Sequence, residues 1–367
     1  MFSQLATGLF FTGPRQKLVI DERSRTQGIV MNDGLSRFDK RQAVRAIDVA
    51  LAAGVSQSSV SRVFQGGIVA TKRRNKILEA ADALGYRPDA MARAMITRRS
   101  GIVGILMNSN TNLYYPDVLT ALCRSASDQK MLSMVFTVET TVDIDYAVEQ
   151  ALAYRVDGII ALTDITIKHT EALSQLGTIL VLYNREIMGA ATNCVGCDHE
   201  YDGEMLGRHV VSKGASIIWV IEGPETSSLA KKRLAGLLRG LQSSPTQIRI
   251  CSETGDFSFE SGFSSVVRRL AAEEIKPHVI IAVNDMMAMG AVEALRMANI
   301  PAQDQILVAG FDGIAATRWR CFQITTMAQP LEQLAAAAVA IIVSRQQSGS
   351  DRLEQRIFSS RLVTRLT

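Results

Sequence analysis

The chain has no run of about 18 apolar residues, so nothing in it reads as a membrane span. Cysteine is scarce. Five cysteines, an odd number and widely scattered, argue against a secreted disulfide framework and point to reduced thiols. The four histidines (His169, His199, His209 and His278) show no catalytic spacing. There is no glycine-rich phosphate loop, no nucleophile elbow, no low-complexity tract and no short repeat. "CVGC" at Cys194 to Cys197, followed by His199, is the one metal-like spacing. It falls on or beside a strand, where residues three apart point to opposite faces, and no second cysteine pair completes a zinc site. Neither a metal nor a cofactor is expected, and no enzyme constellation is found. The apolar start "MFSQLATGLFF" lacks a leading positive charge and a clear small-residue cleavage site. It makes a poor signal peptide, and the expected location is cytoplasmic.

What is present is an uneven charge. The 367 residues carry a net +4 and are 47% hydrophobic, enough for two or three globular domains. From Arg41 to Arg99 there are eleven Lys/Arg and four acids, a net +7. Residues 1–40 carry +2, which leaves −5 for everything after Arg99. A small basic unit on a large acidic body suggests a nucleic-acid module attached to something that does not bind nucleic acid.

Residues 1–40 show no sustained periodicity and are expected to form a disordered extension, with Met31 as an alternative start. Three short helices are predicted next. "AIDVALAAG" places Ile47, Ala50, Leu51 and Ala53 at helical spacing, and Gly54 stops it. Ser56 is a good N-cap for a helix from about Gln57 to Phe64. Thr71 is expected to cap a longer helix, with Ile77, Leu78, Ala81 and Leu84 inward and Gly85 and Pro88 closing it. From Gly101 the texture changes to β-rich runs ("IVGILM", "LSMVFT", "DGIIAL", "IIWVI", "VIIAV", "ILVAG") alternating with amphipathic helices. That is the rhythm of parallel sheets, and more than 200 residues of it predict two doubly wound α/β lobes.

The stretch "AGVSQSSVSRV" reads as a helix-turn-helix, with a tight turn at Gly54 and a second helix led by Ser56. Such a helix enters the major groove by its N-terminal end, which requires small donors and acceptors there. Gln57 and Ser58 would face base edges, and Arg62, one turn on, could reach a guanine. Ser59 and Ser61 are placed on phosphates.

"DVA", "AGVS", "SVSRV", "ILEAA" and "LGYRP" follow one another at spacing that closely resembles the DNA-binding head of the lac repressor (LacI) family. The resemblance continues through "NLYYPDVL", "LAKKRLAGLL", "VNDMMAMGAVEAL", "VAGFDG" and "ITTMAQP". It implies a helix-turn-helix domain over 41–87, a hinge helix and linker over 88–100, and an effector-binding and dimerisation body over 101–367. The body would be periplasmic-binding-protein-like, with lobe one at about 101–197 and 326–345 and lobe two at about 198–325 and 346–367.

In this family the hinge folds when paired on DNA and drives two apolar side chains into the minor groove. The residue at the wedge position is Met95, unbranched and apolar like a leucine. Arg93, with Arg98 and Arg99, would contact phosphates. Asp89 stands where the family usually has Asn, and the turn "QGGIVA" is one residue shorter than in many relatives. The resemblance also places an effector between the lobes, outside the carboxyl ends of the strands. By matching positions, Arg233 binds it and Asp285 accepts from ligand hydroxyls opposite. Tyr114, Tyr115 and Phe257 supply aromatic faces, and Asp164 and Arg185 stand at strand ends. Arg, Asp and aromatics suit a sugar or sugar derivative, and the pair Arg185 and Arg233 would also tolerate an acid or phosphate group.

The implied function is a dimeric transcriptional regulator, a repressor in the first instance, reading a pseudo-palindromic operator in double-stranded DNA under control of a small ligand. An activator of the same family is the alternative. A transport solute-binding protein shares the body fold but has a secretory signal and no DNA head, the reverse of this chain. The end "RLVTRLT" has no leucine heptad, so a homodimer without a tetramer helix is expected.

Overall fold

The computed structural model describes residues 44–87, 94, 99–108, 112–187, 191–272, 276–300 and 306–365. Residues 1–40, Arg93, Met95 and nearly all of the expected hinge lie outside this set. The chain divides into two compact units, Met1–Pro88 and Asp89–Thr367.

The first unit is built on α1 (Ala46–Ala53), α2 (Gln57–Phe64) and α3 (Thr71–Leu84). One residue from each helix is wholly buried: Val49, Val60 and Ile77. Ala50, Ala53, Val63 and Ala81 complete this small core, and Phe64 meets Tyr86 edge to face at 5.3 Å. Gly54 (φ 63°) and Gly85 (φ 65°) end α1 and α3 in the left-handed conformation that glycine adopts without a Cβ clash. Ser56 caps α2 through the Ser59 amide. Three expectations change. Thr71 begins α3 but makes no cap, because Ala70 holds that position. Leu78 and Leu84 are each 40% exposed, and Ile47 and Leu51 also face outward. A three-helix core this small buries only one row of each helix.

The second unit holds two six-stranded sheets. The first, in the order β11-β5-β4-β3-β1-β2, is made of β1 (Ile102–Asn108), β2 (Leu132–Val138), β3 (Gly158–Ala161), β4 (Ile179–Tyr183), β5 (Asn193–Cys197) and β11 (Gln355–Phe358). Its helices are α4 (Tyr114–Asp128), α5 (Thr141–Ala153) and α6 (Ile167–Gln175), together with α11 (Leu331–Ser348). The second sheet, in the order β12-β10-β9-β8-β6-β7, uses β6 (Ile217–Glu222), β7 (Arg249–Thr254), β8 (Val279–Ala282), β9 (Leu307–Asp312), β10 (Thr325–Ala328) and β12 (Arg361–Val363). Its helices are α7 (His199–Ser212), α8 (Ser228–Leu241), α9 (Phe259–Ala272) and α10 (Asp285–Met297). Among the described residues every strand pair is parallel except β10 with β12. Central strands such as β3 and β8 are buried along their whole length, as helices on both faces require.

The lobe boundaries differ from those read off the sequence. β10 belongs to the second sheet, because Thr325 to Ala328 pair with Ala309 to Asp312. β11 belongs to the first, because Gln355 to Phe358 pair with Cys194 to Cys197. The chain therefore crosses between lobes after β5, after β10 and between β11 and β12.

One helix contact fixes the geometry that follows. Gly203 and Gly207 on α7 face Gly236 and Gly240 on α8, each pair four residues apart and so on one helix face. A Cβ on Gly236 would overlap the carbonyl oxygen of Glu200, and one on Gly207 would come 2.6 Å from the Leu237 carbonyl oxygen. The two backbones touch, and α8 carries Arg233. The same contact holds Arg233 in register with the first crossover, where α7 begins.

Candidate functional site

In the first unit, Gln57 and Ser58 are exposed in the first turn of α2, and Arg62 is exposed one turn on. The serine hydroxyls are first of all a cap. Ser58 Oγ and Ser59 Oγ each lie 3.0 Å from Ser56 Oγ, and Ser61 Oγ accepts from Gln65 Nε2 at 2.9 Å. The Arg62 carbonyl accepts from the Gly67 amide at 2.8 Å, which folds the turn "QGG" back onto α2.

In the second unit, a chain of buried polar side chains links the lobes. Tyr114, in the first turn of α4, donates its hydroxyl to Gln329 Oε1 at 2.9 Å. Asn184, just past β4, donates to the same oxygen at 2.7 Å and to the Tyr114 hydroxyl at 3.0 Å. Gln329, at the second crossover, donates to Asp312 Oδ1 at 2.8 Å. Arg233 Nη2 donates to that oxygen at 2.7 Å, while Nη1 donates to the Val283 carbonyl at 2.7 Å. The guanidinium carbon stands 5.0 Å over the Phe311 ring. Cys197 joins by donating its thiol to Gln329 Oε1 at 3.7 Å and its amide to Asn184 Oδ1 at 3.0 Å. Tyr114 and Asn184 come from lobe one, Arg233 and Asp312 from lobe two.

The electrostatics follow from burial. It raises the Tyr114 hydroxyl well above its usual range and pushes the Cys197 thiol up to about 12, so both are neutral donors. Burial also raises the Asp312 carboxyl, with the adjacent Arg233 opposing. Backbone strain is present here, as it is also at Lys130, Arg155, Asn299 and Gln323. Asn184 (φ 51°), Phe257 (φ 70°) and Asp312 (φ 111°) all have positive φ, which costs on the order of 1–3 kcal/mol for a non-glycine residue and concentrates at ligand clamps.

The carboxylate opposite Arg233 is Asp312, where the sequence reading put Asp285. Asp285 is fully buried at the start of α10. Its Oδ2 accepts from the amides of Gly313 (2.6 Å) and Ile314 (3.0 Å), and its Oδ1 from Thr326 Oγ1 (2.7 Å). It ties the loop after β9 to β10. Tyr115 is buried in the core, edge to face with Tyr114 at 5.9 Å. The Phe257 ring lies over Gly223, and its carbonyl accepts from Asn284 Nδ2. Asp164 has a 90% exposed side chain and pairs with Arg185 Nε at 3.3 Å on the rim. Asn184, Gln329 and Asp312 escaped the sequence reading, although "VAGFDG" and "ITTMAQP" carried two of them. A lone Asp or Gln at a strand end is a weak signal until its partners are known. Cys194 donates to the Arg185 carbonyl, away from the network that holds Cys197.

The linker also has an anchor. Asp157, ahead of β3, accepts from the amides of Ser100 (2.9 Å) and Gly101 (2.8 Å), so the chain entering the body is clamped to lobe one.

A helix-turn-helix unit ahead of a two-lobed, periplasmic-binding-protein-like body is the build of a ligand-responsive DNA-binding regulator. Residues 100–355 match the periplasmic binding proteins and sugar binding domain of the LacI family, and residues 47–89 match the lacI family of bacterial regulatory proteins. The chain belongs to the LacI family. It is 30% identical over 310 residues to the lactose operon repressor of Escherichia coli (strain K12), covering 83% of this chain and 85% of that protein. It is 27% identical over 303 residues to the ribose operon repressor of the same strain, covering 81% and 92%. A solved lac repressor dimer bound to operator and the anti-inducer ONPF superposes with a TM-score of 0.76 at 24% identity, over 89% of this chain and 99% of that one, a likeness of fold. Among the described residues no helix is long and apolar enough to cross a membrane.

Proposed function

We propose that this chain is a cytoplasmic, non-enzymatic repressor that binds a pseudo-palindromic operator as a homodimer and responds to a small polyhydroxylated ligand between its lobes. Gln57, Ser58 and Arg62 read base edges, and Arg93 and Met95 act at the hinge. Arg233, Asp312, Gln329, Asn184 and Tyr114 hold the ligand, with Arg185 and Asp164 at the rim and Phe257 and Tyr115 as apolar walls. The reading is carried by the buried chain from Tyr114 to Arg233, because its members come from both lobes. A ligand that exchanges hydrogen bonds with them must change how the lobes meet, and so the spacing of the hinge segments. Repressors in the lactose and ribose systems are relatives of this chain, which favours repression over activation and a sugar-like ligand. The coupling is reciprocal: ligand alters operator affinity by the factor by which operator alters ligand affinity.

DNase footprinting of the purified protein on DNA flanking its own gene, repeated with a panel of sugars and sugar acids, tests this. The expected result is a protected pseudo-palindrome that one compound abolishes or strengthens. Equal ligand affinity with and without operator would overturn the regulatory reading.

A further inference from the structure

His199 opens α7 at the first crossover and is 7% exposed. Neither of its ring nitrogens has a hydrogen-bond partner among the described residues, and Arg233 Nε is likewise buried without one. A buried polar atom left unpaired has given up its water for nothing, so three in one neighbourhood need a reason. The site of the ligand supplies it, since Arg233 is shared between the two.

The charges acting on the His199 ring are all positive: Arg233 and Lys232 from α8, and Arg185 from the segment after β4. The ring also sits at the positive end of α7. Each cation has a carboxylate, but of two kinds. Asp312 on Arg233 is buried and fixed by Gln329. Glu186 on Lys232 (2.7 Å) and Asp164 on Arg185 (3.3 Å) are solvent-exposed rim groups. Exposed pairs of this sort contribute little, because water screens them, so an incoming anion can replace Glu186 or Asp164 at small cost. Cys197, Asp202 and Tyr114, all within the field of Arg233, are further titratable groups nearby, and Asp198 and Glu200 flank His199 at the start of α7, Asp198 as its cap and Glu200 paired outward with Arg239.

We infer that the ligand is acidic: a polyhydroxylated molecule whose carboxylate or phosphate group seats on His199 between Arg185 and Lys232, while its hydroxyls meet Asp312, Gln329 and Asn184. This rests on the crevice being the effector site. In the free protein, burial and then Arg233, Lys232 and Arg185 keep the imidazole neutral. An anion beside it reverses that field, so ligand enters with a proton, and His199 becomes a charged donor.

The test is calorimetric titration of the full-length protein with D-gluconate, D-glucuronate and D-glucose 6-phosphate, against the neutral D-glucitol and D-glucose. Each is run at pH 6 and pH 8 in two buffers of different ionisation heat. At least one acid should bind tenfold or more tightly than its neutral counterpart, and the arms separate carboxylate from phosphate. The pH comparison is read on the carboxylates, which do not titrate in this range. Their affinity should weaken by about tenfold per pH unit where one proton is taken up, and uptake should approach one per site. His199→Gln should remove the pH dependence and the proton uptake. Arg185→Gln should weaken the acid tenfold or more, and by at least tenfold more than it weakens any neutral sugar. A neutral sugar bound as tightly as its acid overturns the acidic ligand, acid binding without pH dependence or proton uptake overturns the seat on His199, and either result leaves the crevice as an effector site. No binding by any member, acid or neutral, overturns both.

Discussion

Arg233 and Asp312, 79 residues apart in sequence, meet at 2.7 Å in the interior of the lobe junction. Replacing such a pair by apolar residues is often neutral, but removing one partner leaves an uncompensated buried charge that costs about 3–5 kcal/mol. Asp312→Ala should therefore lower the urea midpoint markedly and abolish ligand response. Arg233→Met with Asp312→Leu should recover stability but not the response. Recovery of both would mean the pair is only structural.

The backbone contact of α7 with α8 makes a second prediction. Gly236→Ala cannot be accommodated without separating the helices, since the new methyl overlaps the Glu200 carbonyl. Overpacking of this kind costs about 1–3 kcal/mol or more. Because α8 carries Arg233, ligand affinity should fall with stability. An unaltered thermal midpoint would refute the tight contact.

The head should fail independently of the body. Ile77 is wholly buried in the three-helix core, and an Ile→Ala change at such a site costs about 2–5 kcal/mol. Ile77→Ala should lose operator binding while ligand titrations stay as in the parent. Within an intact head, Gln57→Ala should cost about 1–3 kcal/mol at one base pair and leave the salt dependence alone. Gel shifts on a set of single-base operator variants would separate the two effects.

Asp285 gives the protein a pH-dependent stability of definite sign. Burial, and then Asp312 nearby, push its carboxyl up to about 8, against 3.8 for an ordinary aspartate. Between those values the folded state keeps a proton that the unfolded chain releases. Stability should thus fall as pH rises from about 4 to about 8 and level off above, by at most about 1.4 kcal/mol per pH unit. Asp312 and Asp202, also raised by burial, act in the same direction. Urea midpoints at pH 5 and pH 7.5 should differ more for the parent than for Asp285→Asn, whose amide oxygen can still accept from Gly313 and Ile314. An equal difference in both proteins would exclude Asp285 as the source.

The clamp of Asp157 on Ser100 and Gly101 should matter to coupling more than to ligand affinity. Asp157→Ala releases two backbone amides at the entry to the body. Ligand should bind as before, while its effect on operator affinity shrinks. An unchanged effect in a footprint titration would show that the hinge takes its position from elsewhere.

Local features were legible in the sequence because local physics decides them. Gly54 and Gly85 turn the chain where a Cβ would clash, Ser56 caps α2, and alternating strand and helix patterns mark out the two sheets. The candidate site was legible only in part. Resemblance marks Arg233 and Tyr114, but it points to Asp285 where Asp312 faces the arginine. Two aspartates at the ends of neighbouring strands look alike in one dimension. The positive φ of Asp312 and the hydrogen bond from Gln329 place one of them in the network, and the amides of Gly313 and Ile314 hold the other inside the lobe.

What the sequence alone determined is the kind of molecule: a basic helix-turn-helix unit followed by parallel α/β lobes, because helical and strand periodicity, caps and charge are properties of near neighbours. What only the tertiary structure decided is the assignment of β10 and β11 to their sheets, the outward turn of Leu78 and Leu84, and the meeting of Tyr114, Asn184, Gln329, Asp312 and Arg233 between the lobes. Those depend on strand pairing and packing between residues tens to hundreds of positions apart, and no local pattern encodes which of several polar side chains will meet.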